Sequence, residues 1–278
     1  MAHALEDDDV PAEVQLAPFL SFWDPFSYKH EEPSAQCLSR IRRDIADIIK
    51  RPIQGVLIAP EENDYTTIHA LVVGPADTPY EGGFFHFLTK CTAEYPTKPP
   101  RVRLMTTDGG WVRFGPNLNE DGMVCLSILG TWPGQHGWCS DHNLRTVLTA
   151  IQSLMTQDPY YNEPRLVRRR DPCEVFGYNA FLRHETIRVA FCDAVESCID
   201  GSSLYPPAIK DAIITSFPQL YDKHVRTLKD LVNQSGTLMR DPFGHGSGRF
   251  NYEVLLTRLV SLYDEVMDTG ASDSQRES

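Results

Sequence analysis

Apolar positions along the chain fall into two rhythms. Leu38, Ile41, Ile45, Ile48 and Ile49 recur at helical spacing, and predict a helix with Ser34 as its N-cap and Pro52 as its stop. The period then shortens. Residues 56–58, 66–73, 84–89 and 101–105 read as short strands joined by Gly-Pro and Gly-Gly turns, tight enough for an antiparallel meander. Helical periodicity returns with Leu144, Val147, Leu148, Ile151, Leu154 and Met155, until Asp158-Pro159 and Glu163-Pro164 break the chain. Beyond Arg170 the pattern stays helical. It predicts one helix over 176–199, two within 208–233 and another over 252–267, punctuated by Pro206-Pro207 and a Gly-rich stretch at 241–248.

Helix, meander, cysteine-bearing loop, helix and helical extension make an α+β plan. The expected divisions are a flexible arm over 1–33, a core over 34–165, a helical extension over 166–268 and a polar, disordered tail over 269–278. The arm mixes acidic residues, prolines and aromatics (Phe22-Trp23-Asp24-Pro25-Phe26) without a period, leaving its aromatics free to dock.

Composition narrows the function. A net charge of −12 argues against nucleic acid as a partner, because phosphate binding needs clustered Lys and Arg. No apolar run approaches the roughly 20 residues of a membrane span. The stretch Met1 to Val10 is acidic and lacks the basic and apolar regions of a signal peptide. Seven cysteines at scattered spacings then read as free thiols of a reducing compartment. No C-x-x-C pair occurs, and Cys139-Ser140-Asp141-His142 offers two ligands without a second pair, so no metal site is expected.

Cys125 stands apart from the other six. It follows a Pro116-Asn117 turn, an Asp121-Gly122 turn and a short apolar run. A thiol there lies beside an amide side chain able to stabilise an oxyanion, which is the layout of a cysteine that carries an acyl group. A buried core cysteine is the competing reading.

Several segments, taken in order, resemble the ubiquitin-conjugating enzymes. Tyr80-Glu81-Gly82-Gly83-Phe84-Phe85 resembles that family's turn between its second and third strands. Tyr95-Pro96-Thr97-Lys98-Pro99-Pro100-Arg101-Val102 resembles its proline-rich loop, and Pro116-Asn117 the end of its His-Pro-Asn motif. Cys125 follows Asn117 at 125 − 117 = 8 positions, as in the family. Trp138 and the turn from Asp158 to Pro164 also fall in family order. Cys125 to Trp132, His184 to Ala190 and Asp241 to Gly244 are similar to a long subtype with a helical C-terminal extension.

The resemblance implies a ubiquitin-conjugating fold and two acyl transfers. Ubiquitin, with a ubiquitin-like modifier as an open alternative, arrives from an activating enzyme as a thioester on Cys125 and passes to a substrate lysine, with a ubiquitin ligase as a further partner. The chain needs no cofactor of its own, since ATP is consumed by the activating enzyme. Asn117 would donate its amide to the oxyanion, against the plainer reading that it braces its turn. Glu163 aligns with an acidic position that orients the incoming amine, against a solvated turn carboxylate. Arg40, Arg42 and Arg43 lie on the first helix, where the family binds the activating enzyme, against an ordinary solvated face. Arg168-Arg169-Arg170 reads either as a nuclear localisation signal or as a solvated loop, and the expected location is cytoplasm and nucleus.

Three positions depart from the family. Gly115 replaces the His that braces the active-site loop, as the long subtype also does. Cys91 replaces a bulky apolar contact used by ligases, and Cys139-Ser140-Asp141 replaces Ser-Pro-Ala, so ordinary RING ligase use is doubtful. Two other classes compete: a catalytically silent module that holds ubiquitin, and a cysteine hydrolase, which needs a partner histidine that has no motif position beside Cys125. His136 and His142 are expected at the surface.

Overall fold

The computed structural model describes residues 22–132, 137–163, 171–243 and 247–274. Most of the N-terminal arm, His136, Arg168-Arg169-Arg170 and residues 275–278 lie outside the described residues.

Helix α1 (Ala35–Lys50) starts where the sequence places it. Ser34 Oγ accepts the Cys37 N–H at 3.1 Å and donates to the Ala93 carbonyl at 2.8 Å, so one hydroxyl caps the helix and ties it to the sheet. Strands β1 (Val56–Pro60), β2 (Thr67–Val73), β3 (Phe84–Lys90) and β4 (Arg101–Leu104) form the expected antiparallel meander in sequential order. Register puts Val72 opposite Phe85, Ala70 opposite Phe87 and Phe87 opposite Leu104, so these side chains share one face. That face packs against Ile41, Ile45 and Ile48 of α1 and Val147, Leu148 and Ile151 of α2 (Leu144–Leu154).

Every residue of β3 is buried, so the second face is covered as well. Leu71 and Phe84 lie there in a second core with the extension. The extension comprises α3 (Pro172–Glu185), a π-helical stretch (Thr186–Asp193), α4 (Ala194–Ile199), α5 (Pro207–Leu231), a hairpin of β5 (Leu238–Arg240) and β6 (Ser247–Arg249), and α6 (Tyr252–Ser274). Phe191 of the π-helical stretch stacks on Phe84 with ring centroids 5.4 Å apart, and meets Phe217 of α5 at 5.2 Å. Gly83 permits this approach, since a Cβ there would meet Thr186 Cγ2 at 2.7 Å.

Four expectations change. Residues 22–28, assigned to the flexible arm, are ordered: Asp24 caps a short 3₁₀ helix (Pro25–Tyr28), Trp23 is buried, and Arg103 of β4 lies over the Trp23 and Phe26 rings. Stacking and the Asp24–Arg103 ion pair give this turn a place on the outer sheet face. Residues 208–233 were expected to contain two helices, yet α5 runs through Pro218. An internal proline costs about 3 kcal/mol, whereas Ile209, Ile213, Phe217 and Leu228 on its buried face contribute about 1.5–3 kcal/mol each. Burial wins. The Gly-rich stretch at 241–248, expected to punctuate an all-helical extension, ends in strand β6 of a hairpin. Finally, α6 continues through Ser274, into the tail expected to be disordered, because extending an anchored helix fixes one residue per added hydrogen bond.

Candidate active site

The loop bearing Cys125 is stitched in four places. The Cys125 N–H donates to the Asn117 carbonyl at 2.8 Å, and the Asn117 Nδ2 donates back to the Cys125 carbonyl at 3.0 Å. Leu118 and Val124 form a bridge beside them. The Leu104 N–H donates to the Gly122 carbonyl at 2.8 Å, joining the loop to β4. Gly122 has φ +90°, and a Cβ there would meet the Leu104 carbonyl oxygen at 2.6 Å, so this joint requires glycine. On the far side, the Thr131 hydroxyl accepts the Leu126 N–H at 3.0 Å.

Arg113 holds the loop where the family's histidine is missing. Its Nε donates to the Gly115 carbonyl at 3.0 Å, and its Nη2 to the Pro116 carbonyl at 2.9 Å. Its Nη1 donates to the carbonyl of Phe243, in the extension, at 2.9 Å. Tyr80, fully buried, donates its hydroxyl to the Phe114 carbonyl at 2.6 Å, and a Cβ on Gly115 would meet that hydroxyl at 3.1 Å. The bracing therefore passes from one imidazole to a guanidinium and a phenol.

Arg113→Ala removes three hydrogen bonds from a charged donor, each worth about 1.5–3 kcal/mol in a buried setting and less at this half-buried site. We expect amide exchange over residues 114–125 to quicken at least tenfold. Arg113→Lys should not rescue, because an ammonium lacks the planar fork that reaches three carbonyls. Unchanged exchange in Arg113→Ala would remove Arg113 from the brace.

The Cys125 thiol is 7% exposed. Burial pushes its pKa above the usual cysteine value; Arg113 draws it back down, Asp121 pushes it up, and a hydrogen bond from Asn119 lowers it. Among the described residues no imidazole is one of these groups. His142 instead meets Trp138 edge to face and accepts the Cys139 N–H. The site is thus an orienting one around a thiol raised by burial, able to exchange acyl groups by thiolate attack and departure.

Other candidates fall differently. Asn117 is buried with one amide N–H on the Cys125 carbonyl, the bracing arrangement, and its NH2 carries a second N–H besides. Glu163 is half-buried directly after a 3₁₀ turn (Pro159–Asn162). Arg40 does not offer a free cation: its guanidinium pairs with Asp44 at 2.8 Å and donates to the Ser140 and His142 carbonyls. A buried carboxylate four residues along draws it inward. Arg42 and Arg43 stay exposed. Cys91 is 1% exposed, inside the core, and presents no surface to a ligase. Cys139 is exposed, as expected.

Sequence reasoning passed over Arg113, Tyr80, Phe243 and Asn119. Asn119 left one local signal: it is a second amide two residues beyond Asn117 in the same cysteine-bearing loop.

A four-stranded meander with a thiol loop held between it and α2 defines a class. The chain matches the family model described as "Ubiquitin-conjugating enzyme" over residues 40–171, and it belongs to the ubiquitin-conjugating enzyme family, a family of transferases. Among its relatives is ubiquitin-conjugating enzyme E2 Z of Xenopus tropicalis, 46% identical over 251 residues, covering 89% of this chain and 79% of the relative. The Homo sapiens ubiquitin-conjugating enzyme E2 Z is 46% identical over 255 residues, covering 91% and 71%. A more distant similarity, 44% over 151 residues, is to the human dual E2 ubiquitin-conjugating enzyme/E3 ubiquitin-protein ligase BIRC6, covering 51% of this chain and 3% of that protein.

Proposed function

We propose that this chain accepts ubiquitin from an activating enzyme as a thioester on Cys125 and passes it to lysine amines of substrate proteins. The observation that carries the reading is the Cys125 loop itself. Its thiol is held at a fixed place by the reciprocal Asn117 bonds and the Arg113 brace, which is what an acyl carrier needs and an inert core thiol does not.

In this reading Cys125 is the nucleophile and later the leaving group. Asn117 keeps its peptide in place with one amide N–H, and the second N–H is the oxyanion donor. Glu163 orients the incoming amine. Arg42 and Arg43, exposed on α1, supply the basic surface for the activating enzyme. A ubiquitin-like modifier is a second cargo to be tried in the same assay. The reading assigns the protein to cytoplasm and nucleus.

The test mixes the protein with an activating enzyme, ATP and ubiquitin, and separates the products on a non-reducing gel. We expect a band of one added ubiquitin that disappears with reductant. No adduct with any activating enzyme would overturn the reading and favour a silent ubiquitin-binding module.

A further inference from the structure

Two asparagines flank the thiol, and they do different things. Asn117 places an amide N–H on the Cys125 carbonyl at 3.0 Å. The amide that faces the sulfur belongs to Asn119, whose Nδ2 donates to Cys125 Sγ at 3.7 Å. Asn119 is fixed from below. Its N–H donates to the Met123 carbonyl at 3.1 Å, and its own carbonyl accepts the Gly122 N–H at 3.0 Å. The side-chain Oδ1 is buried with no hydrogen-bond partner, so the sulfur is the contact that accounts for where this amide points.

We propose that Asn119 is a catalytic residue: its amide N–H holds the Cys125 sulfur and stabilises the thiolate that forms there in each acyl transfer. The proposal rests on the reading of Cys125 as the thioester carrier. In loading, the thiolate attacks the carbonyl carbon of the modifier's C-terminal glycine. A C–Sγ bond forms and the C–S bond to the activating enzyme breaks; that enzyme's thiolate takes up a proton from water, matching the one Cys125 lost. In discharge, a lysine amine attacks the same carbon. A C–N bond forms, the C–Sγ bond breaks with its electron pair on Sγ, and the ammonium proton passes to solvent. Both steps place negative charge on the sulfur that the Asn119 N–H faces. A charge-assisted hydrogen bond strengthens at that moment. Burial raises this thiol most, Arg113 lowers it and Asp121 raises it, and the Asn119 bond lowers it further by direct contact with the sulfur.

Asn119→Leu keeps the side chain's size and removes the donor; Asn119→Ala removes it without adding an apolar branch. Neither touches the backbone bonds of the turn. Two readouts apply: the pH profile of iodoacetamide alkylation, followed by mass spectrometry on the Cys125 peptide, and single-turnover discharge of the loaded protein to free lysine. We expect the alkylation midpoint to rise by about one pH unit and discharge to slow about tenfold, which corresponds to ~1.4 kcal/mol. A purely structural role would lower the melting temperature without moving the midpoint. An unchanged midpoint in either folded variant overturns the proposal. If the wild-type protein never loads, the thioester reading fails by itself, and the alkylation profile still decides whether Asn119 governs the thiolate.

Discussion

Cys125→Ser should leave no reductant-sensitive adduct with ubiquitin, although six cysteines remain in the chain. Cys37, Cys91 and Cys192 are buried, and burial pushes their thiols up, to about 11 for Cys37 and about 12 for Cys192. Cys198, partly buried, is likewise pushed to about 11. A thiol that far above neutrality is almost wholly protonated, and the protonated form is neither nucleophile nor leaving group. Cys139 and Cys173 are exposed, but neither follows a Pro-Asn pair at the spacing of Cys125, so nothing holds their sulfur against an incoming carbonyl. Serine fits the space. Its hydroxyl is far less acidic than a thiol, and any product is an ester that reductant does not cleave. The measurement is the non-reducing gel, with and without thiol. A reductant-sensitive band that survives in Cys125→Ser would move the carrier role to another cysteine.

The second large effect is on stability. Phe191→Ala should destabilise the fold by about 3–5 kcal/mol, the usual range for emptying a buried phenylalanine site. Phe191 is fully buried between Phe84 of β3, Phe217 of α5 and His224, whose ring centroid is 4.1 Å away. Three rigid partners limit collapse around the void, which puts the cost at the upper end. Against a total of about 5–15 kcal/mol this is a large fraction. At ~2–4 °C per kcal/mol for a chain of this size, the melting temperature should fall by roughly 10–20 °C. Because Phe191 joins the meander to the extension, both should still melt in one transition. Two separated transitions, with only the later one shifted, would mean that the extension folds as an independent domain.

Much of the core was legible because its signals are local. Residues 56–58, 66–73, 84–89 and 101–105 anticipated β1 to β4 within a residue or two, since side-chain alternation and glycine turns are written in adjacent positions. Ser34 capped α1 as expected. What stayed hidden depends on partners far along the chain. Arg113 meets Phe243 across 130 positions, and nothing near either residue announces the pair. Arg40 reads as a surface charge until the carbonyls of Ser140 and His142 close over it. Pro218 breaks a helix by local rules, and only the buried face running past it restores continuity. At the thiol, spacing singled out Cys125 and Asn117 as candidates. Which of two neighbouring amides faces the sulfur is a matter of rotamer, and spacing does not encode that.

Both faces of the sheet are occupied by the chain's own residues, the inner by α1 and α2, the outer by the extension and the turn at Trp23. This bears on valency. A carrier with an open sheet face has room for a second, non-covalent cargo whose tethering raises local concentration by the arithmetic of linked sites. Here that room is filled, so any such gain must come from loops, helix surfaces or another protein. In the proposed reading, transfer of the modifier should accordingly rise in proportion to its free concentration, without the steeper dependence that a second docked copy on the sheet would impose.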